Sequence, residues 1–221
     1  MEGARRSTLV IGATGLVGRE IVRLLCADPG VERIVAVTRR PFVGLEDPKL
    51  QTKVVDFDAL ESAAESFAVD QIFCALGTTI KQAGSEPAFR RVDLEYPLTA
   101  ARLGVEHGAN HFLLVSAVGA SASSRVFYNR VKGELEDALR TLPYNSITIA
   151  RPSLLLGNRE EHRLGEEIGK RVGWLAVGRY RPVEASAVAL ALVLAARENR
   201  PGMHIIESED IRRLAAEHTH N

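Results

Sequence analysis

The chain has 221 residues, enough to bury one α/β core and too few for two large domains. Its 28 basic and 28 acidic side chains cancel, so charge gives no general attraction to nucleic acid or to an anionic membrane. Apolar residues make up 46% of it, an ordinary globular value that excludes extensive disorder.

The polar opening MEGARRS has no apolar signal region, and the longest apolar run, Ala185 to Ala196, is shorter than the ~20 residues that span a bilayer. A cytoplasmic protein with no membrane partner is expected. Cys26 and Cys74 sit in apolar contexts without a C-x-x-C spacing, which predicts core positions and no metal site or disulfide.

The first element is a strand from Thr8 to Ile11, followed by glycines at Gly12, Gly15 and Gly18 and a helical pattern through Leu16, Val17, Ile21, Val22, Leu24 and Leu25. Gly12 permits the turn, Gly15 lets a pyrophosphate approach the backbone, and Gly18 lets the helix lie against the strand. The free N–H groups at the helix start then face an anion. The spacing is G-x-x-G-x-x-G, so its position between a strand and a helix, more than the glycines alone, makes it a nucleotide site.

A second strand, Arg33 to Thr38, ends where an NAD-selective site carries an acid for the ribose 2′-hydroxyl. Thr38, Arg39 and Arg40 stand there instead, and guanidinium forks suit a 2′-phosphate. Residues 41 to 52 read as a loop, and KVVDFDAL as a short third strand and a turn. Asp56, just past that strand, suits either an adenine edge or the cap of a helix near Leu60. The fourth strand, Gln71 to Cys74, is followed by Ala75, Leu76, Gly77 and Thr78, small enough at a strand's carboxyl end to line a cofactor. A long helix from Pro87 to Glu106 is expected to kink at Pro97.

The fifth strand, His111 to Val115, ends at Ser116, and FYNRVKGELEDALR then places Tyr128 and Lys132 four positions apart on one helix face. A lysine ammonium beside a phenol favours the phenolate, and a strand-end serine can orient a carbonyl oxygen. Tyr-x-x-x-Lys by itself is common and ordinarily means a packed tyrosine and a solvated lysine. After a strand-end serine, in a chain that opens with a glycine turn, it reads as a catalytic group.

Together these residues resemble the short-chain dehydrogenase/reductase superfamily. GATGLVG, Ser116, YNRVK and the Arg151–Pro152 pair after the sixth strand SITIA are similar to its extended and atypical branches. FCALGTTIKQAG, FRRVDLEYPLTAA, SSRVFYNRVKGELE and ARPSLLLGNREEHRLGE resemble the Tat-interacting-protein, oxidoreductase-like branch of the atypical members. The resemblance implies NADP(H) held by Gly12, Thr14, Gly15, Leu16, Val17, Arg39, Arg40, Asp56, Leu76, Gly77, Tyr128 and Lys132, with Arg151 added to the set. It also implies a Ser116, Tyr128, Lys132 triad, in which the tyrosine moves a proton and the lysine binds the nicotinamide ribose. One position departs: many members carry an asparagine that supports a proton relay where this chain has Asp93, which puts that relay in question.

The expected architecture is a single α/β domain, a doubly wound, mostly parallel Rossmann sheet of order 3-2-1-4-5-6. A final strand at Met203 to Glu207 joins the edge, and the tail EHTHN is frayed. A small carboxyl-terminal cap over about 157–183 carries Arg159, Glu160, Glu161, His162, Arg163 and Trp174. The expected function is NADP(H)-dependent oxidoreduction of a small carbonyl or alcohol substrate. Beside that substrate, a protein partner or a homo-oligomer is left open, and the alternatives to this function are a nucleotide-sensing protein that binds a protein partner and a sugar-nucleotide epimerase.

Overall fold

The computed structural model describes residues 5–156 and 180–219. The cap residues from 157 to 179, Arg163 and Trp174 among them, lie outside the described residues. Seven parallel strands form the central sheet: β1 (Arg6–Ile11), β2 (Val31–Thr38), β3 (Leu50–Val54), β4 (Gln71–Cys74), β5 (His111–Val115), β6 (Ser146–Arg151) and β9 (Gly202–Glu207). Their order is β3-β2-β1-β4-β5-β6-β9, which makes the last strand the seventh at the edge. The sequence order reverses between β1 and β4, and in such sheets ligands lie beyond the strand ends at that point.

Alternation along each strand explains why both faces are covered. Val10, Ala36, Phe73, Leu113 and Ala150 face α1 (Leu16–Ala27) and the helix Ala185–Glu198, here α6. Leu9, Ile11, Ile72, Phe112 and Ile149 face the opposite layer, made of the 3-10 turns Phe57–Phe67, α4 (Tyr96–Glu106) and α5 (Phe127–Arg140). The two-residue strands β7 (Leu155–Leu156) and β8 (Val183–Glu184) pair outside the main sheet. Cys74 is buried and Cys26 only half-buried.

The expected long helix is a chain of three segments. Helix α2 (Ile80–Ala83) precedes them, then α3 (Glu86–Arg90), a π-helical turn (Arg91–Glu95) and α4 run without a break. Pro97 lacks the N–H that would reach back to residue 93, and the turn widens so that Tyr96 donates to the carbonyl of Arg91. Two expectations are corrected. The loop to residue 52 ends earlier, because β3 begins at Leu50. The tail is helical as far as Thr219, in α7 (Ser208–Thr219), where Ile211 is fully buried.

His111, fully buried, has its Nε2 2.9 Å from the Thr148 hydroxyl. Burial pushes its pKa down from 6.5 to about 4. Below the ordinary value the unfolded chain takes up a proton that the folded chain refuses, so stability is lost as pH falls from about 6.5 to about 4. The full loss is about 3 kcal/mol, and urea midpoints in His111→Gln should fall less steeply over that interval than in the parent.

Candidate functional site

The glycines act as their spacing requires. A Cβ on Gly18 would lie 2.2 Å from the carbonyl oxygen of Gly12, and one on Gly12 would lie 2.6 Å from the backbone of Ala75, at a φ of +86°. The first keeps α1 against β1, and the second lets the β1 turn touch the end of β4. At Gly15 an added Cβ would meet only one atom, 3.4 Å away, so this side of the turn is open. Gly15 is the N-cap of α1 and no side chain caps that end, which leaves N–H groups for an anion. Thr14 and Gly15 are exposed there.

A cleft of about 540 Å³ opens over the switch point. Gly15, Leu16 and Val17 form its α1 wall, Leu76, Gly77 and Thr78 its β4 wall, Ser116 and Ala117 its β5 wall, and Tyr128 and Lys132 project from α5. Pro152 to Leu156 complete it beyond β6. Tyr128 is half-buried, its ring 5.5 Å from that of Phe89, and its hydroxyl makes no hydrogen bond with the described residues.

Lys132 is 3% exposed and Asp93 fully buried, and their Nζ and Oδ1 atoms stand 2.7 Å apart. The other Asp93 oxygen accepts the backbone N–H of Thr78 at 3.0 Å. Burial raises the Asp93 carboxyl above the ordinary carboxylate range, with Lys132 and the Thr78 N–H pulling it back. Burial lowers the Lys132 ammonium and the Asp93 charge raises it, and the carboxylate prevails, holding it above 10.5.

Other residues fall differently from their sequence reading. Ser116 lines the cleft, but its hydroxyl donates to Glu136 Oε1 at 2.5 Å in the interior. That proton is not available to a substrate carbonyl while the bond holds. Arg151 is absent from the cleft lining, and its guanidinium joins Glu136 at 2.5 Å and Glu207 at 3.1 Å. Asp56 accepts the N–H of Asp58 at 3.0 Å and so takes the capping role of its two readings. Arg39 and Arg40 are exposed beyond β2, outside the cleft, and the Arg39 guanidinium lies 5.8 Å above the Phe57 ring. Pairing of Val37 with Ile11 sets them beside the glycine turn. Thr38, next to them, is buried, and its hydroxyl has no partner among the described residues.

Three features were not read from the sequence. Glu136 and the direct Asp93–Lys132 contact join residues 20 and 39 positions apart. The third is Gly133, where a Cβ would lie 2.1 Å from the carbonyl carbon of Ser121. The only available signal was the glycine next to Lys132.

Residues 7–92 match the family model "Semialdehyde dehydrogenase, NAD binding domain". "Protein FMP52, mitochondrial" of Candida albicans is 35% identical over 225 residues, covering 95% of this chain and 98% of that protein. "Protein HTATIP2" of Rattus norvegicus is 33% identical over 169 residues, covering 75% of this chain and 69% of that protein. The chain belongs to the HTATIP2/FMP52 family of atypical short-chain dehydrogenases/reductases.

Solved structures agree on the fold of this HTATIP2/FMP52 member. A short-chain dehydrogenase family protein from Francisella tularensis matches with a TM-score of 0.70 at 13% identity, over 94% of this chain and 99% of that one. MoeE5 in complex with UDP-glucose and NAD matches with a TM-score of 0.68 at 18% identity, over 97% of this chain and 82% of that one. No helix among the described residues is long and apolar enough to cross a membrane. The fungal FMP52 relatives are named mitochondrial, so the polar opening of this chain does not by itself assign a compartment.

Proposed function

We propose that this protein is an NADP(H)-dependent oxidoreductase for a small carbonyl or alcohol substrate, with Tyr128 as the proton donor or acceptor. The observation that carries it is the shared cleft: Tyr128 and Lys132 line the same 540 Å³ space as the uncapped start of α1. The open side of Gly15 and the uncapped N–H groups fit a pyrophosphate, and the orphaned Thr38 hydroxyl fits a ribose or its phosphate. Bound nucleotide supplies hydride transfer at the nicotinamide. Tyr128 holds the proton at its phenolic oxygen, and Lys132 supplies the positive charge and a donor for the adjacent ribose. Ser116, whose hydroxyl donates to Glu136, can accept a hydrogen bond from an alcohol substrate but has no proton free for a carbonyl oxygen. The experiment is a screen of aldehydes and ketones followed by loss of NADPH absorbance. A broad panel with no turnover by a nucleotide-bound protein would remove the enzyme reading.

NADPH should bind at least about tenfold more tightly than NADH, because a charge-assisted contact from Arg39 or Arg40 to the 2′-phosphate is worth about 1.5–3 kcal/mol. Calorimetric titration of both nucleotides checks this. Equal affinities would overturn the NADPH preference, and a preference that survives Arg39→Ala with Arg40→Ala would place the discrimination elsewhere.

The second reading is a nucleotide-sensing protein without turnover, and the commitment of the Ser116 proton to Glu136 favours it. A protein partner belongs to that reading. A nucleotide-sugar substrate fits less well: Lys132 is the one cation among the described lining residues, and Asp93 already pairs with it.

A further inference from the structure

Lys132 presents a physical difficulty that sequence does not show. An ammonium 3% exposed to solvent would ordinarily surrender its proton, since desolvation penalises the charged form. Every role given to this lysine, as charge beside a phenol and as donor to a ribose, needs it protonated. The titratable groups facing it are Asp93 from the π-helical turn, Tyr128 from its own helix and Cys74 from β4. Of these only Asp93 is a carboxylate. The other acids nearby on α5 have partners elsewhere: Glu134 pairs with Arg90 at 2.7 Å, and Glu136 with Arg151.

The backbone is built to deliver that carboxylate. Pro97 widens the helix into the π-helical turn that holds Asp93, and such turns recur at functional sites. The two carboxylate oxygens then divide their contacts, Oδ1 towards Lys132 and Oδ2 to the Thr78 N–H. Gly77 completes the arrangement, because a Cβ there would lie 3.6 Å from Asp93 Oδ1 and 3.8 Å from Lys132 Nζ, filling the space over the pair.

We propose that Asp93 is the positioning residue of this site, fastening the Lys132 ammonium to the Gly77–Thr78 turn so that α5 and the end of β4 present one fixed surface to the nucleotide. The inference rests on the functional reading above only in its last clause. Asp93 acts through Lys132 and Thr78 and touches no reacting atom. The carboxylate at this position compensates a buried charge.

The test uses the full chain with labelled lysine side chains, of which there are only five. In the parent, Lys132 should titrate above 10.5, and in Asp93→Asn, where burial persists without the carboxylate, below 10.5. NADPH affinity of the variant at neutral pH should fall about tenfold as the fixed surface is lost. Hydrogen exchange of the Thr78 amide should accelerate in Asp93→Ala, where no side-chain acceptor is left. A Lys132 titration unchanged in Asp93→Asn overturns the proposal, whatever happens to stability. If that variant does not fold, Lys132→Met answers from the other side. The Asp93 carboxyl should then titrate higher than in the parent, and an unchanged value overturns the pairing. Failure of the oxidoreductase reading looks different: no NADPH binding or turnover in the parent, with the Lys132 titration still responding to Asp93.

Discussion

Replacing Tyr128 with phenylalanine is expected to lower turnover of any carbonyl substrate by about 10²–10⁴-fold, the usual range for a lost general acid–base group. The fold should persist, because the hydroxyl has no partner among the described residues and its removal orphans nothing. The ring keeps its contact with Phe89 at 5.5 Å. Most of the NADPH affinity should persist because the ring stays in place, so the larger loss belongs to the chemical step. Steady-state rates and a parallel nucleotide titration separate the two quantities. Turnover at the parental rate would remove Tyr128 from the chemistry, and another proton source would have to be found in the cleft. Lys132→Ala should be more damaging, since it also leaves Asp93 buried without its cation, a loss of about 3–5 kcal/mol for a broken buried pair.

Gly133→Ala is expected to have the second large effect, on stability first and on activity through it. The added Cβ would stand 2.1 Å from the carbonyl carbon of Ser121 and 2.2 Å from the nitrogen of Ala122. Both are backbone atoms, so no rotamer change relieves the clash and α5 must move away from the loop that follows β5. Overpacking of this kind costs about 3 kcal/mol, and a lower urea midpoint should report it. Activity should fall as well, because Tyr128 and Lys132 ride on the same helix. An unchanged midpoint would mean that α5 is not held this closely.

The glycine turn, the strands that flank it and the Tyr128–Lys132 pair were legible because each depends on local spacing. A strand shows its period of two and a helix its stacked four-residue interval within a single segment. Helix α7 was not legible for a related reason. Its sequence is mostly polar, and Ile211 becomes a core residue only when β9 and α6 lie beneath it. Likewise the strand ending in Ser116 was correctly placed, yet a strand-end hydroxyl says nothing about where its proton goes.

The sequence by itself determined the Rossmann order of the sheet, the glycine turn and the two side chains of α5 that meet the cleft. Only the tertiary structure decided the partners of the buried polar groups. The Ser116 hydroxyl donates to Glu136, the Arg151 guanidinium pairs with Glu136 and Glu207, and Asp93 fastens Lys132 to the Thr78 turn. The physical reason is that periodicity is a property of one segment, whereas a buried charge or hydroxyl must be satisfied by whatever atoms packing brings within hydrogen-bond reach. Those atoms come from other elements, and no spacing along the chain names them in advance.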